Sequence, residues 1–492
     1  MVGTKFIQVL LPLKLDWEPY YALPEGATAQ VGDAVDVVFA GRPYTAIVTA
    51  VNVTPASGLE VKPASAISPL ASIGKDVLSF WHTLADYYLC TPGEVYKAAI
   101  LQARTKPAKP RKKKADEAAS QDQPLTPEEA RAIDQIKAAF AAGKTVLLQG
   151  PGREEIYRRL EQETAQKCRS FLHLTPAKKR LLLEPVKNLG LVVVDDEHDA
   201  SYKQDSPAPR FGAREAAIML ANLHGANVIL GSETPSLESL YNAETGLFTK
   251  VELKQSSRHE ITLINTAAET RKNGMSGAFS FKLLEAINAT LGQGKKVLLV
   301  ARSKQAIPEC TLEGAVTTFP GGLKTVRPEG FGLIAFLQAD TLLGKEDFRS
   351  DERALQTLQH LASKAPLAIQ TREPAHPVFK ALLEGGNGLT FLEERRLCGL
   401  PPFTRLVNLV LRDHSFKRID YMARQLAQAI GPCTGPYAPA YDGEDDHIRI
   451  IRVTLARDKS LKSRKQSIYQ TVKNFEKQYK YTGHIVIDVD PI

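Results

Sequence analysis

At 492 residues, with 43% apolar and 24% charged side chains, the chain describes a globular protein of roughly three or four domains with real cores. Its formal charge of +8 favours an anionic partner such as nucleic acid. The five cysteines (Cys90, Cys168, Cys310, Cys398, Cys433) are scattered without a C-x-x-C pair, which argues against a zinc ribbon or a disulfide framework; no secretory leader or membrane-length apolar run is evident, so a cytoplasmic location is expected.

Residues 5–54 read as short strands, with Phe6–Leu11, Ala34–Phe39 and Tyr44–Val53 separated by Pro and Gly turns. A small β-barrel or sandwich is expected, with Trp17, Tyr20 and Tyr21 near its first turn. Exposed aromatics beside a basic surface stack bases, although core packing is the commoner fate of such residues. Val77–Ile100 has helical spacing, and its aromatic stripe reads as core. Residues 104–124 then form a Pro- and Ala-rich basic stretch that includes Arg111, Lys112, Lys113 and Lys114. By composition it is a flexible linker, either a phosphate contact or a solvated tether.

A new domain opens at Leu125. Thr126-Pro127-Glu128-Glu129 is an N-cap followed by Pro and acids in the first helical turn. Lys144–Gln149 is a strand, and Gly150-Pro151-Gly152-Arg153-Glu154-Glu155 turns into the next helix. That is the place for a phosphate loop, which needs a Lys for the phosphates and a Ser or Thr hydroxyl for Mg²⁺. Here Arg153 and Glu154 stand in those places. Gly143-Lys144-Thr145 spells part of such a loop but precedes the strand, so it cannot cap the helix that would cradle phosphate.

Leu191–Val194 reads as a buried parallel strand running into Asp195, Asp196, Glu197 and His198. An acidic cluster past the C-terminal end of such a strand is where nucleotide hydrolases hold Mg²⁺ and orient water, and it reads equally as an acidic loop with a helix cap. A helix over Pro209–His224 and a strand at Val228–Leu230 follow. Residues 256–390 repeat the α/β alternation as a second lobe. Residues 391–492 form a last α+β unit, with strands Arg405–Leu411, Ile448–Leu455 and His484–Val489 and helices Lys417–Ile430 and Leu461–Gln478. Between Arg457 and Lys480 lie eight basic and two acidic residues, a pattern that suits either a phosphate-facing helix, with Lys462, Arg464 and Lys465, or a solvated helix face.

Several long blocks carry a resemblance. NLGLVVVDDEHDASYKQ (188–204), APRFGAREAAI (208–218), VILGSETPSLES (228–239), LQADTLLGKEDFRSDERALQ (337–356) and FLEERRLCGLPPFTRL (391–406) are similar to segments of the family of primosomal protein N′, the PriA replication-restart helicases. QVLLPLKLDWEPYYALPEG (8–26) and LADYYLCTPGEVYKAAI (84–100) resemble that family's N-terminal DNA-end-binding domain, and VIDVDPI (486–492) its C-terminal domain. The resemblance implies an α/β multidomain chain: an N-terminal small β domain with a helical extension (1–103), the basic linker (104–124), two shortened RecA-like α/β lobes (125–255 and 256–390) and a C-terminal α+β DNA-binding domain (391–492).

The same comparison marks the motifs as altered. The family's G-S-G-K-T loop is Gly150-Pro151-Gly152-Arg153-Glu154, its D-E-E-H box is Asp195-Asp196-Glu197-His198, and its S-A-T motif is Ser232-Glu233-Thr234. The segment between Arg159 and Glu184 is short for the family's strands. Its zinc cysteines are reduced to Cys310, and its A-G-R-A-G-R arginine motif is Ala362-Ser363-Lys364-Ala365. The basic linker stands where a winged-helix domain is expected, and Tyr20 stands in place of an aspartate that contacts the terminal nucleotide.

An arginine finger alone contributes on the order of 10³–10⁵ in rate, so the combined losses imply a core without useful turnover. No cofactor is expected, although the family uses ATP with Mg²⁺ and zinc. The expected role is binding of forked or single-stranded DNA in replication restart by a monomer, with primosome or single-strand-binding proteins as further partners and no membrane. Residual nucleotide contacts would fall to Gly150, Gly152 and Arg153. DNA contacts would fall to Tyr20, Tyr21, Arg111–Lys114, Lys462, Arg464 and Lys465. Two alternatives stay open: an active ATP-dependent 3′-to-5′ helicase in which Arg153 replaces the lysine, and a scaffold that binds replication partners without DNA.

Overall fold

The structure, a computed structural model, describes residues 5–58, 60–70, 72–103, 124–254, 258–303, 314–343, 347–439, 446–481 and 483–492. The basic stretch with Arg111, Lys112, Lys113 and Lys114, and with it Cys310, lies outside the described residues.

The N-terminal strands are β1 (Phe6–Leu10), β2 (Tyr20–Ala22), β3 (Ala34–Phe39), β4 (Arg42–Val51) and β5 (Ala66–Ile67), hydrogen-bonded in the order β2-β1-β4-β3-β5. Alternation along each strand sends Ile7, Val9, Tyr21, Val35, Val37, Ala46 and Val48 inward to one core. The segment before β5 returns to β2, where the Ala22 amide donates to Lys62 O and the Ala64 amide to Ala22 O. The sheet thereby curls toward closure, as expected for a small barrel. Helices α1 (Lys75–Tyr88) and α2 (Pro92–Ala103) follow. On α1, Phe80, Trp81, Leu84 and Tyr88 are buried, and the Trp81 indole donates to Leu183 O at 3.2 Å.

Next come α3 (Pro127–Ala141), β6 (Thr145–Gln149), α4 (Glu154–Gln166), β7 (Ser170–Leu174), β8 (Leu189–Asp195), α5 (Ala213–His224), β9 (Asn227–Ser232), α6 (Leu237–Glu244) and β10 (Phe248–Glu252). The expected cap of α3 is present: Thr126 and Glu129 form a reciprocal capping box. These strands make a sheet ordered β10-β6-β9-β8-β7. The segment between Arg159 and Glu184, short as it is, does supply a strand: β7 pairs in parallel with β8 from Phe171↔Leu191 to Leu174↔Val194.

The chain continues through β11 (Ile261–Asn265), α7 (Thr266–Lys272), β12 (Met275–Ser276), β13 (Phe279–Ser280), α8 (Phe281–Gly292), β14 (Val297–Val300), β15 (Ala315–Thr318), β16 (Leu333–Phe336), α9 (Ser350–Ala362), β17 (Leu367–Thr371), α10 (Pro377–Glu384) and α11 (Phe391–Leu397). A five-stranded sheet ordered β11-β17-β16-β14-β15 is parallel at each of its pairings. Its apolar runs are buried on both faces, as parallel strands require. Leu298, Val300, Ile334, Phe336 and Ile369 face the core with α9 and α10, while Val297, Leu299, Leu333 and Ala335 face α8.

The last elements are β18 (Thr404–Asp413), α12 (Phe416–Ile430), β19 (Thr434–Tyr437), β20 (His447–Ala456), α13 (Leu461–Tyr479) and β21 (His484–Val489). They form an antiparallel sheet ordered β19-β20-β18-β21, in register from Thr404↔Ala456 to Asp413↔His447 in its longest pair. The class is thus the α/β multidomain one expected. The chain divides into two compact units: 1–146, 154–230 and 399–491 in the first, and 147–153, 231–398 and 492 in the second. Helix α11, expected within the last domain, belongs to the second unit. Among the described residues, no helix is long and apolar enough to cross a membrane.

Candidate nucleic-acid interface

The strand end that reads as a metal site is committed to internal contacts. The Tyr157 hydroxyl donates to Asp195 Oδ1 at 2.9 Å, and the Tyr202 hydroxyl donates to the Asp195 carbonyl. Asp196 sits at a positive φ of 51°, in the turn where its carbonyl accepts the Asp199 amide. Glu197 is buried and accepts from Arg214 Nη1 at 3.0 Å, while Arg214 also grips Glu215 at 2.7 Å. Burial opposes ionisation of Glu215, but Arg214 outweighs it and holds the carboxyl below its usual range.

In the turn after β6, Arg153 is only 5% exposed, and its guanidinium donates back to the Gly150 carbonyl of its own loop. The Gly150 amide donates to Ser232 O at 3.0 Å. Gly150 has φ 128°, and a Cβ there would lie 2.8 Å from Leu253, so glycine is needed for a close approach of two chain segments. A phosphate loop presents its amides and a cation outward to the ligand. This loop turns the cation inward, engages the first amide, and carries Glu154 where a hydroxyl would hold Mg²⁺. The residues present do not fit a magnesium nucleotide. Ser232 is likewise local, accepting the Thr234 amide at 2.9 Å.

A different site is assembled in the first unit. A groove of about 780 Å³ runs between the N-terminal strands, α1 and α13. Trp17, 57% exposed, and Tyr20 line one side; Tyr469, Gln470, Lys473 and Lys477 from α13 line the other; Asp16, Glu18, His82 and Asp86 are also in its walls. Asp16 pins the two sides together, accepting from the Tyr469 hydroxyl at 2.7 Å and pairing with Lys473 at 3.2 Å. Burial raises the Asp16 pKa, but these two donors outweigh it and keep it below the ordinary value. Glu18 is held by Thr49 at 2.5 Å and stands 3.5 Å from His82. An exposed indole, two phenols and two lysines along one groove are the components that bind a nucleic-acid strand, rings for bases and ammonium groups for phosphates.

Sequence reasoning placed some of these residues and missed others. Tyr20 is in the groove, but Tyr21 is not: it is buried in the barrel core and donates to Val38 O at 3.0 Å. Period-two alternation puts neighbouring residues on opposite faces, so the two tyrosines cannot share a surface. Lys462 and Arg464 are exposed on α13. Lys465 is not phosphate-facing: it is 6% exposed, its ammonium lies 3.8 Å from the Tyr87 ring centroid, and it donates to the Tyr87 carbonyl. Burial pulls its pKa down to about 8. The residues missed are Asp16, His82, Tyr469, Lys473 and Lys477. Tyr469, Lys473 and Lys477 recur every four residues on one helical face, a signal that charge counting over the whole helix obscures.

Among the described residues, no group of three or more His, Cys, Asp or Glu side chains is placed to hold a metal ion, at these sites or elsewhere.

Residues 8–101, which supply the barrel side of the groove, match the family described as the PriA 3′ DNA-binding domain (3′BD). The replication restart protein PriA of Rickettsia conorii is 26% identical over 585 aligned positions, covering 86% of this chain and 90% of that protein. PriA of Bacillus subtilis is 32% identical over 179 residues, 36% of this chain and 21% of the relative. PriA of Chlamydia pneumoniae is 38% identical over 138 residues, 27% of this chain and 18% of the relative. The chain thus spans about a fifth of the Bacillus and Chlamydia proteins and most of the Rickettsia one. Among solved structures, Saccharomyces cerevisiae Dbp5 bound to RNA and ADP–BeF3 aligns over 55% of this chain and 82% of its own at 10% identity, with a TM-score of 0.28, too low to bear on the fold. The match at the N-terminal domain and the similarity to Rickettsia PriA over most of both chains make this chain similar to the PriA replication restart proteins.

Proposed function

We propose that this protein binds branched or single-stranded DNA in replication restart, through the groove of the first unit, and that its helicase core does not turn over ATP. The observation that carries the reading is the groove itself. The residues that match a 3′ DNA-binding domain place Trp17 and Tyr20 opposite Lys473 and Lys477. The inward turn of Arg153 and the engagement of Glu197 by Arg214 support the second part. Phosphoryl transfer relies on positioned cations and a positioned carboxylate, and each is spent on an internal contact here.

The test is binding of forked and single-stranded DNA across a salt series, together with an ATPase assay with and without that DNA. Tight binding that weakens steeply with salt, with no DNA-stimulated turnover, is the expected result. ATP turnover abolished by Asp195→Ala would show an active helicase that uses an unusual loop. No affinity for either DNA at moderate salt would leave a scaffold for protein partners.

A further inference from the structure

A second cavity, of about 230 Å³, adjoins the groove and shares Cys90, Tyr469 and Lys473 with it. Three distant stretches of the first unit build it: the N-terminal domain with its helical extension, the turn at Ser206–Arg210, and α13 with β21. Its lining holds Lys14, Arg210 and His484, with Lys473 already paired to Asp16, beside two acids, Glu94 and Glu476. The Glu94 carboxylate is used locally, accepting from the Thr91 amide at 2.9 Å and the Thr91 hydroxyl at 3.0 Å.

Arg210 is the unusual member. Its side chain is half-buried, yet among the described residues no hydrogen bond or ion pair holds it. Its nearest acids act only at a distance, and one of them, Asp488, pairs instead with Lys203 at 2.8 Å. Burial pulls the guanidinium below its usual range, opposed by Asp488 and reinforced by repulsion from Arg412. The turn that carries it is fixed: the Gln204 side-chain Nε2 donates to the carbonyls of Pro207 and Pro209 at 2.8 and 2.9 Å, and Phe211 is fully buried. A half-buried guanidinium that still reaches solvent and has no acid in hydrogen-bond contact is available to an anion. A guanidinium matches the oxygens of a phosphate in two-point geometry.

We propose that this cavity is a phosphodiester subsite, in which Arg210 takes a backbone phosphate of a single strand whose bases lie against Trp17 and Tyr20 in the adjoining groove. The inference rests on the DNA-binding reading above and adds to it a contact from a third stretch of the chain.

The experiment is fluorescence anisotropy of a labelled oligothymidylate with the full chain over a salt series. Arg210→Gln is expected to lower affinity about tenfold and to reduce the slope of log K against log salt by about 0.7, the value for one phosphate on a single strand. Arg210→Lys keeps the slope and recovers only part of the affinity, because the fork is lost. Lys14→Gln lowers the affinity in the same direction, so a misfolded Arg210→Gln does not end the test. Unchanged affinity and slope in Arg210→Gln and Lys14→Gln, with wild type binding normally, overturns the subsite and leaves the DNA-binding reading standing. No binding by wild type overturns both. In a parallel arm, inorganic phosphate that raises the melting temperature of wild type but not of Arg210→Gln, while oligothymidylate affinity is indifferent to Arg210, makes the cavity a free-anion site and removes the strand from it.

Discussion

The Tyr87 hydroxyl donates a 2.9 Å hydrogen bond to Oδ2 of Asp490, tying the last turn of α1 to the residue that follows β21. Arg405 Nη1 reaches the same oxygen at 3.0 Å, and Lys465 covers the Tyr87 ring. Burial opposes ionisation of Asp490, but Arg405 and Lys203 outweigh it and hold the carboxyl below its usual range. Elements 403 residues apart are thereby locked into one unit. Tyr87→Phe keeps the ring for Lys465 and removes only the hydroxyl. The expected cost is about 1.5–3 kcal/mol, the range for a hydrogen bond to a buried charge. Both tryptophans, Trp17 and Trp81, lie in this unit, so urea unfolding followed by tryptophan fluorescence reads it directly. An unchanged midpoint would contradict the assignment.

Trp17→Ala tests the groove. The indole is exposed and its nearest aromatic neighbour is Phe39, tilted at 6.2 Å, so its removal leaves the core intact. Loss of one base–aromatic stack weakens single-strand binding by about 1–3 kcal/mol, roughly 5- to 150-fold. The affinity is to be compared with wild type at fixed salt. A loss confined to the salt slope, with affinity extrapolated to high salt unchanged, would rule out stacking.

The second unit holds a buried ion cluster built from three of the blocks that carry the family resemblance. Glu352 on α9 accepts from the Leu237 amide at 2.8 Å and from Arg395 of α11 at 2.6 Å, while Arg349 pairs with Glu238 at 2.9 Å. Arg395→Met leaves the buried Glu352 without its closest cation and should destabilise the unit by about 3–5 kcal/mol; Glu352→Gln leaves Arg395 beside Glu238 at 3.6 Å and should cost less, and the double variant should cost far less than the sum. Amide hydrogen exchange along α9 measures both quantities. Simple additivity would show that the pair is not coupled.

Glu233 gives the same unit an acid-sensitive contact. The His360 hydrogen bond is the largest influence, Lys364 adds to it, burial opposes, and the carboxyl is pushed down to about 2 from its ordinary value of 4.5. A carboxyl whose folded pKa lies below the unfolded one binds fewer protons when folded. Its stabilisation is therefore present above about pH 4.5 and is lost as pH falls toward 2. Glu233→Gln should flatten the stability profile of wild type across that interval and leave the slope above it unchanged. Hydrogen exchange at stepped pH resolves this, and identical profiles for the two proteins would contradict it.

Much of the architecture was legible along the chain. Runs such as Leu191–Val194, Val297–Val300 and Leu367–Thr371 are apolar without alternation because parallel strands are covered on both faces, and each is a buried strand in the fold. The Thr126–Glu129 cap was legible because capping is local. Strand β7 was harder to see: SFLHL is short, half-exposed and interrupted by a histidine, so its period is weak, and its place is set by pairing with β8.

The sequence by itself determined most of the elements, the family resemblance carried by the long blocks, and the arginine in the turn after β6 where that resemblance has lysine. These are properties of local order and residue type. Only the tertiary structure decided direction and company. It turned Arg153 onto its own loop, buried Lys465 under Tyr87, and sent Tyr21 into the core while Tyr20 faces the groove. It also brought Arg210, Lys14 and Lys473 around one cavity. Whether a charged side chain meets solvent, a carbonyl or a ring depends on segments hundreds of residues away. The free energy of burying a charge is set by those neighbours, and a linear reading does not contain them.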